Sequence, residues 1–253
     1  MVKINTITPD KHVFLKRLCF LAKPPKRLCY MGEIPRGGPL LNTASRFDFE
    51  RGERPFSVAI VGSRKSTKYG EENAYKIAYK LTKIGFVVVS GLAVGIDAAA
   101  HRGALDAGGR TVGVLGTPIT EVYPAKNRPL AARIIENGGM VMSAFANKTE
   151  MAELKTNAFL YRNRLIAGLA DVVIVVEASR RSGSLNTAHH ALLTGVPVMA
   201  VPGDVGRKKS VGCNRLFREG AAPCLDYLDV LDELGLVIDK LGDFGAGGAK
   251  DIW

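Results

Sequence analysis

The 253 residues are 47% hydrophobic, 23% charged and 7% aromatic, with 28 glycines; this is ordinary globular usage for one large α/β domain or two small ones, and it argues against a fibrous or repeat protein. The longest apolar run, Ala170–Val176, is interrupted by Asp171 and closed by Glu177, far short of the roughly 18 apolar residues of a membrane span. The formal net charge of +11 is uneven: residues 1–55 carry 11 Lys/Arg against 5 Asp/Glu, residues 56–220 carry 22 against 12, and residues 221–253 carry 2 against 7. A basic body with an acidic tail suits a polyanion such as nucleic acid, since neutralised phosphates release counterions, although a solvated basic face has the same composition.

Residues 1–55 show no sustained period and contain Pro24-Pro25, Pro35, Gly37-Gly38-Pro39 and Arg51-Gly52-Glu53-Arg54-Pro55. They read as a short helix near Lys11–Ala22 followed by an arm or linker. Lys16 and Arg17 lie inside the apolar stretch Val13–Ala22 and no small-residue cleavage site follows, so no secretory signal is expected and the chain reads as cytoplasmic. Cys19, Cys29, Cys213 and Cys224 match neither a zinc knuckle nor a redox pair and are expected to be idle reduced thiols. No metal or cofactor is called for.

From Ser57 onward short β-branched runs alternate with helical stretches, the pattern of βαβ units. Strands are expected at Ser57–Val61, Phe86–Ser90, Thr111–Leu115, Met140–Ser143, Val172–Val176, Val196–Val201 and Ala222–Leu225. Helices are expected near Lys68–Ile84, Ile96–Asp106, Pro129–Asn137, Ala158–Leu169, Leu185–Leu193 and Tyr227–Leu234. Several strands are apolar at consecutive positions, as strands covered on both faces must be. The expected fold is α/β: an extended Rossmann-like, doubly wound, mainly parallel sheet with helices on both faces. It occupies residues 56–235, between the arm (1–55) and a flexible tail (236–253) in which Gly242–Lys250 holds four glycines.

In such a sheet a ligand lies beyond the carboxyl ends of the strands. The first of these turns is Gly62-Ser63-Arg64-Lys65-Ser66-Thr67. Glycine admits an oxyanion close to the backbone, Ser63 adds a hydroxyl, the next helix offers free N–H groups and Arg64 can clamp a phosphate. A tight βα turn with an exposed arginine is the alternative. The second turn, Ser90-Gly91-Leu92-Ala93-Val94-Gly95, leads to Asp97 and His101, four residues apart on one helical face and able to hydrogen-bond. A general-base dyad would need a nucleophile beside it, so a structural pair holding the glycine turn is expected. After the fifth strand Ser182-Gly183-Ser184 leads into a helix, preceded by Arg180 and Arg181. Arg162 and Arg164 stand in the first turns of their helix, where cations oppose the dipole and favour an external anion over an internal carboxylate. Pro202–Arg215 reads as a loop with three consecutive cations, Arg207-Lys208-Lys209, and Lys126-Asn127-Arg128 adds to the same edge. His189 and His190 point apart with no partner at metal-ligand spacing.

These segments, in this order, resemble the DNA-processing protein A family (DprA, also called Smf). The match lies in Val58–Arg64 with Tyr69-Gly70, Ser90–Ala93 with Gly95-Ile96-Asp97 and Ala100-His101, and Tyr123-Pro124 with Asn127. It continues through Arg162-Asn163-Arg164 with Ile166–Leu169, Ser182–Leu185 with Thr187-Ala188, Pro202-Gly203, and Ser210 with Gly212-Cys213-Asn214 and Gly220-Ala221. The resemblance runs from about Phe56 to Ala222. It implies an extended Rossmann domain that binds single-stranded DNA, protects incoming DNA and helps load a RecA-type recombinase in natural transformation. Such proteins generally act as dimers without chemical catalysis. On this basis Gly62, Ser63 and Arg64 would seat a phosphate, Arg162, Asn163 and Arg164 would shape and charge the same pocket, and Ser182, Gly183 and Ser184 would supply a second cradle. Ser90, Gly91 and Asn214 join the DNA-binding set through their motifs, and Lys126 and Lys148 would mark the strand's path. With few aromatics near the basic edge, binding is expected mainly through phosphates.

Family members commonly carry a helical N-terminal domain and often a C-terminal winged helix, and neither is expected in the residues flanking this core. Residues Ala146–Ala158 lack the proline-rich spelling often found before the Arg-Asn-Arg motif. The rival reading is a nucleotide-processing Rossmann enzyme of the phosphoribohydrolase type, whose P-G-G-x-G-T-x-x-E loop carries a glutamate. The equivalent stretch here, Arg181–Ala188, has no carboxylate, which disfavours that chemistry.

Overall fold

A computed structural model describes residues 3–37, 54–154 and 157–236. Its centre is one sheet of nine strands: β1 (Asn5–Ile7), β2 (Leu28–Gly32), β3 (Ser57–Val61), β4 (Val87–Ser90), β5 (Thr111–Leu115), β6 (Met140–Ser143), β7 (Val172–Val175), β8 (Val198–Ala200) and β9 (Ala222–Pro223). The helices are α1 (Lys68–Lys83), α2 (Ile96–Asp106), α3 (Arg128–Glu136), α4 (Lys148–Ala152), α5 (Ala158–Leu169), α6 (Gly183–Leu193), α7 (Val211–Arg218) and α8 (Tyr227–Glu233).

The strand order is β1-β2-β6-β5-β4-β3-β7-β8-β9. From β6 to β9 neighbours are parallel, whereas β1 and β2 are antiparallel to each other and β2 is antiparallel to β6. The chain winds outward from β3 to β6, then returns to β7 on the other side of β3. That reversal makes β3/β7 the topological switch point, where doubly wound sheets open a crevice.

Alternate residues of the central strands feed two cores. Ala59, Val61, Val173 and Val175 pack on one face with Leu165 and Ile166 of α5 and Ala188 of α6. Val58, Ile60, Val172 and Ile174 pack on the other with Ile77 and Leu81 of α1 and Ala100 of α2. Every side chain of β3 is therefore covered, which is why its sequence is apolar throughout instead of alternating.

The N-terminal segment differs from expectation. In place of a helix over Lys11–Ala22, two short 3-10 turns span Pro9–Lys11 and Lys16–Phe20, and β1 and β2 lengthen the sheet where an arm was expected. Phe14, Leu15, Leu18 and Leu21 enter the β3/β7 core. Gly168 of α5 leaves room for them, since a Cβ there would stand 3.0 Å from Leu21 and 3.2 Å from Leu18. Asp171, between α5 and β7, binds this segment electrostatically. Its carboxylate accepts from Arg17 (3.0 Å), Arg54 (2.5 Å) and the Ser57 amide (2.8 Å). Residues 38–53 of the expected arm (1–55) and the tail beyond 236 lie outside the described residues.

Two helices were not expected: α4, and α7, which begins inside the stretch read as the loop Pro202–Arg215 and runs three residues past it. The cysteines are free thiols, with Cys29, Cys213 and Cys224 buried and Cys19 exposed. Burial pushes the Cys213 thiol up to about 12, far from reactive thiolate character.

Candidate nucleic-acid interface

At the carboxyl ends of β3 and β7 lies a cleft of about 210 Å³, walled by the β3–α1 turn, the first turns of α5 and the N-terminus of α6. It brings together Gly62, Ser63, Arg64, Arg162, Asn163, Ser182, Gly183 and Ser184, residues spread over more than a hundred positions of sequence. Gly62 is required sterically: a Cβ would stand 2.7 Å from Ile96 Cγ1 and 3.0 Å from the Glu177 carbonyl. The turn is tied down at its far end, where Glu177 accepts from the Thr67 amide (2.9 Å) and hydroxyl (2.5 Å). Thr67 Oγ1 in turn accepts from the Gly70 amide (3.2 Å) and caps α1. Arg64 is exposed and forms no salt bridge among the described residues; the buried Asp97 carboxylate acts on it only through its field. Its guanidinium lies 5.3 Å from the centroid of the Phe159 ring, a stacking contact that orients the cation without neutralising it.

On the opposite wall Ser182 caps α6, its hydroxyl lying 3.4 Å from the Ser184 amide and 2.8 Å from the Ser184 hydroxyl. Asn163 locks this loop to α5 by donating to the Gly183 carbonyl (3.1 Å) and Asn186 Oδ1 (3.3 Å). The positive N-terminal end of this eleven-residue helix shares the cleft with the exposed Arg64, and together they form a surface that attracts oxyanions.

Arg162 is the buried floor. It donates to the carbonyls of Val114 (2.8 Å) and Gly91 (2.5 Å) and to Asn163 Oδ1 (3.2 Å). Burial pulls its guanidinium down to about 10, with the nearby Asp97 carboxylate opposing the shift, so it stays charged at neutral pH. Asp97 accepts from the amides of Gly91 (3.1 Å) and Ala93 (3.4 Å). Burial pushes its carboxyl up, while Arg162 and these amides pull it back. Between those two amides Leu92 sits at φ 55°, in the left-handed region, fully buried. Such a conformation costs about 1–3 kcal/mol in a non-glycine residue, and the Asp97 clamp with the burial of Leu92 holds it.

Several expected site residues stand elsewhere. Ser90 is fully buried and its hydroxyl donates to the Ile60 carbonyl (2.7 Å), so it offers nothing to a ligand. Gly91 lines a smaller adjoining hollow with Tyr123 and Phe159, and its backbone groups serve Asp97 and Arg162. Arg164 is not on the cleft; it stacks on Tyr161 at 5.0 Å, and its buried Nε has no hydrogen-bond partner among the described residues. Asn214 donates to the Gly203 carbonyl (2.9 Å) and fastens the loop before α7. Lys148 opens α4 and pairs with Glu121 (3.2 Å), and Lys126 is exposed in the turn before α3.

Asp97 and His101 do not form a pair. His101 is completely buried and its Nδ1 lies 2.8 Å from Thr111 Oγ1. Because that hydroxyl donates to the Val88 carbonyl (2.7 Å), it must accept from Nδ1–H, leaving Nε2 as an acceptor without a hydrogen-bond partner among the described residues. Asp97 holds the glycine turn with Arg162 and with Asn127, which donates to the Leu92 carbonyl (2.8 Å), while His101 takes no part, and a general-base dyad is removed. Sequence reading also missed the rings. Phe159 lines the cleft beneath Arg64 and Arg162, and the half-exposed Tyr123 ring lies 5.9 Å from it. The available signal was spacing: Phe159 precedes Arg162 by three residues on one helical face. Among the described residues no group of acids, histidines and cysteines could hold a metal ion, and no helix is long and apolar enough to cross a membrane.

Residues 5–235 match the family of DNA recombination-mediator protein A. The chain is 39% identical over 188 residues to protein Smf of Escherichia coli, a span covering 74% of this chain and 50% of that protein. Among solved structures it is similar to DNA processing protein A of Streptococcus pneumoniae (TM-score 0.71, 34% identity, 91% of this chain and 74% of that one). It is equally similar to the Helicobacter pylori DNA processing protein A described for its unique single-stranded DNA binding mode (TM-score 0.71, 29% identity, 92% and 96%). The chain spans about half the length of the first curated relatives it matches. With the family match over nearly all described residues and the shared switch-point fold, this chain belongs to the DNA recombination-mediator protein A (DprA/Smf) family.

Proposed function

We propose that this protein binds single-stranded DNA in the β3/β7 cleft, without chemical catalysis, protects the strand and helps load a RecA-type recombinase during natural transformation. It acts in the cytoplasm as a homodimer. The observation that carries the DNA reading is the exposed Arg64, without a salt bridge among the described residues, laid over Phe159 in the cleft it shares with the N-terminus of α6. Cation and helix amides suit a phosphate, and the rings of Phe159 and Tyr123 suit a stacked base. The binding mode described for the Helicobacter pylori relative supports the same ligand. The acid lining the cleft argues against hydrolysis, because the Asp97 carboxylate is consumed by the Gly91 and Ala93 amides.

Fluorescence anisotropy of labelled oligo-dT and a matched duplex across a salt series tests this. The single strand is expected to bind more tightly, and Arg64→Ala to weaken it by about tenfold or more with a shallower salt slope. Equal affinity of the variant and the wild type would remove the cleft from DNA binding.

A further inference from the structure

A second and larger hollow, of about 860 Å³, adjoins the cleft. It lies between the β3–α1 turn and the loop from Pro202 to Ser210. Lys209, which lines this hollow, donates from Nζ to Ser63 Oγ on the wall of the cleft (2.9 Å), so one hydrogen bond links the second hollow to the expected phosphate cradle.

The loop that presents Lys208 and Lys209 is pinned at both ends. Tyr69 Oη donates to the Pro202 carbonyl (2.9 Å), Asn214 to the Gly203 carbonyl (2.9 Å), and the Ala178 amide to the Lys209 carbonyl (2.8 Å). The acids in the hollow are occupied: Glu177 by Thr67, and Asp204 by Arg207 at 2.7 Å. Lys208 and Lys209 have no carboxylate partner among the described residues. A lysine held against a neutral hydroxyl gives up rotamer freedom for a modest bond. An oxyanion bridging Ser63 and Lys209 would return far more, because the ammonium has further N–H donors to offer.

We propose that this hollow is a second phosphodiester subsite, in which Lys209 is shared with the cradle and Lys208 is the outer cation. A strand held at Arg64 then continues across Ser63 and over the loop. The inference rests on the reading of the cleft as a single-stranded DNA site and names the route by which the strand leaves it.

The test is anisotropy with oligo-dT of increasing length, over a salt series, for the wild type, Arg64→Ala, Lys208→Gln, and the double variant Lys208→Gln/Lys209→Gln. Arg64→Ala is expected to weaken binding at every length. Lys208→Gln is expected to match the wild type on the shortest oligomers and to fall behind on longer ones. On the longer oligomers the double variant should lose about tenfold, and its salt slope should shrink by about 0.7 per lost phosphate contact. Replacement of both lysines by arginine should restore slope and affinity, which separates a charge effect from a folding one. If Arg64→Ala weakens binding while the double variant keeps wild-type affinity and slope at all lengths, the second subsite is wrong and the cleft stands. If the wild type binds no oligomer, or Arg64→Ala binds as the wild type does, the reading of the cleft fails and takes the subsite with it.

Discussion

His101 shows how one buried side chain sets a response to acid. Burial pulls its pKa from 6.5 down to about 3, helped by the positive charge of Arg162 and Arg102. Above pH 6.5 the ring is neutral in both folded and unfolded chains, and its contribution is whole. Below that value the unfolded chain takes up the proton and the folded chain does not, so stability falls as pH drops from 6.5 towards 3. The slope from this residue is about 1.4 kcal/mol per pH unit. Urea unfolding at pH 7, 6, 5 and 4 should show a wild-type decline that is shallower by that amount in His101→Gln, whatever the variant's stability at pH 7. Identical slopes would show that the ring charges inside the fold. The spacing of Asp97 and His101 correctly places them on one helix, yet adjacency on a helix does not choose partners. Asp97 turns to the amides of the Gly91 turn and His101 to Thr111 on β5, because those groups are the ones buried beside each.

Among the elements, Asp171 joins parts of the chain that a local reading treats separately. It ties the 3-10 turn at Lys16–Phe20, the strand β3 and the α5–β7 connection through Arg17, Arg54 and Ser57, with its own side chain only 4% exposed. Asp171→Ala leaves the largely buried Arg54 guanidinium and the Ser57 amide without their acceptor. Loss of one partner of a buried ionic pair costs about 3–5 kcal/mol, so chemical denaturation should show a fall of that size. A fall below about 1 kcal/mol would mean that water replaces the carboxylate at little cost. Central strands and long helices are legible because β-branched runs, period and caps are local; β5, β6, α2 and α5 match their expected bounds. Those that escaped notice are β1, β2, α4 and α7. β2 exists through antiparallel pairing with β6 and β1 through antiparallel pairing with β2, and α7 follows a Gly/Lys-rich run and is secured by the Gly212 amide on the Ala178 carbonyl (2.8 Å). The strand pairings leave no periodic mark in their own segments, whereas α7 is amphipathic, with Cys213 and Leu216 buried, but only eight residues long.

For the whole molecule, the N-terminal segment belongs to the sheet and to the core. β2 covers the edge of β6, and Phe14, Leu15, Leu18 and Leu28 are each at most 1% exposed. A chain starting at residue 54 would bare both a strand edge and this apolar surface, the conditions for edge-to-edge association. It is expected to elute as aggregate in size exclusion and to bind a hydrophobic dye, whereas a monodisperse product with the wild-type melting temperature would show the segment to be dispensable. The order of βαβ units, the apolar character of β3 and β7, and the small-residue turns at Gly62-Ser63-Arg64 and Ser182-Gly183-Ser184 are all readable from the chain, because they express short-range backbone and burial preferences. Burial of Arg162, diversion of Arg164 to Tyr161, exposure of Arg64 over Phe159 and the meeting of Lys209 with Ser63 are not. Those depend on β7 returning beside β3, a long-range pairing that decides which loops share a crevice and which charges find partners.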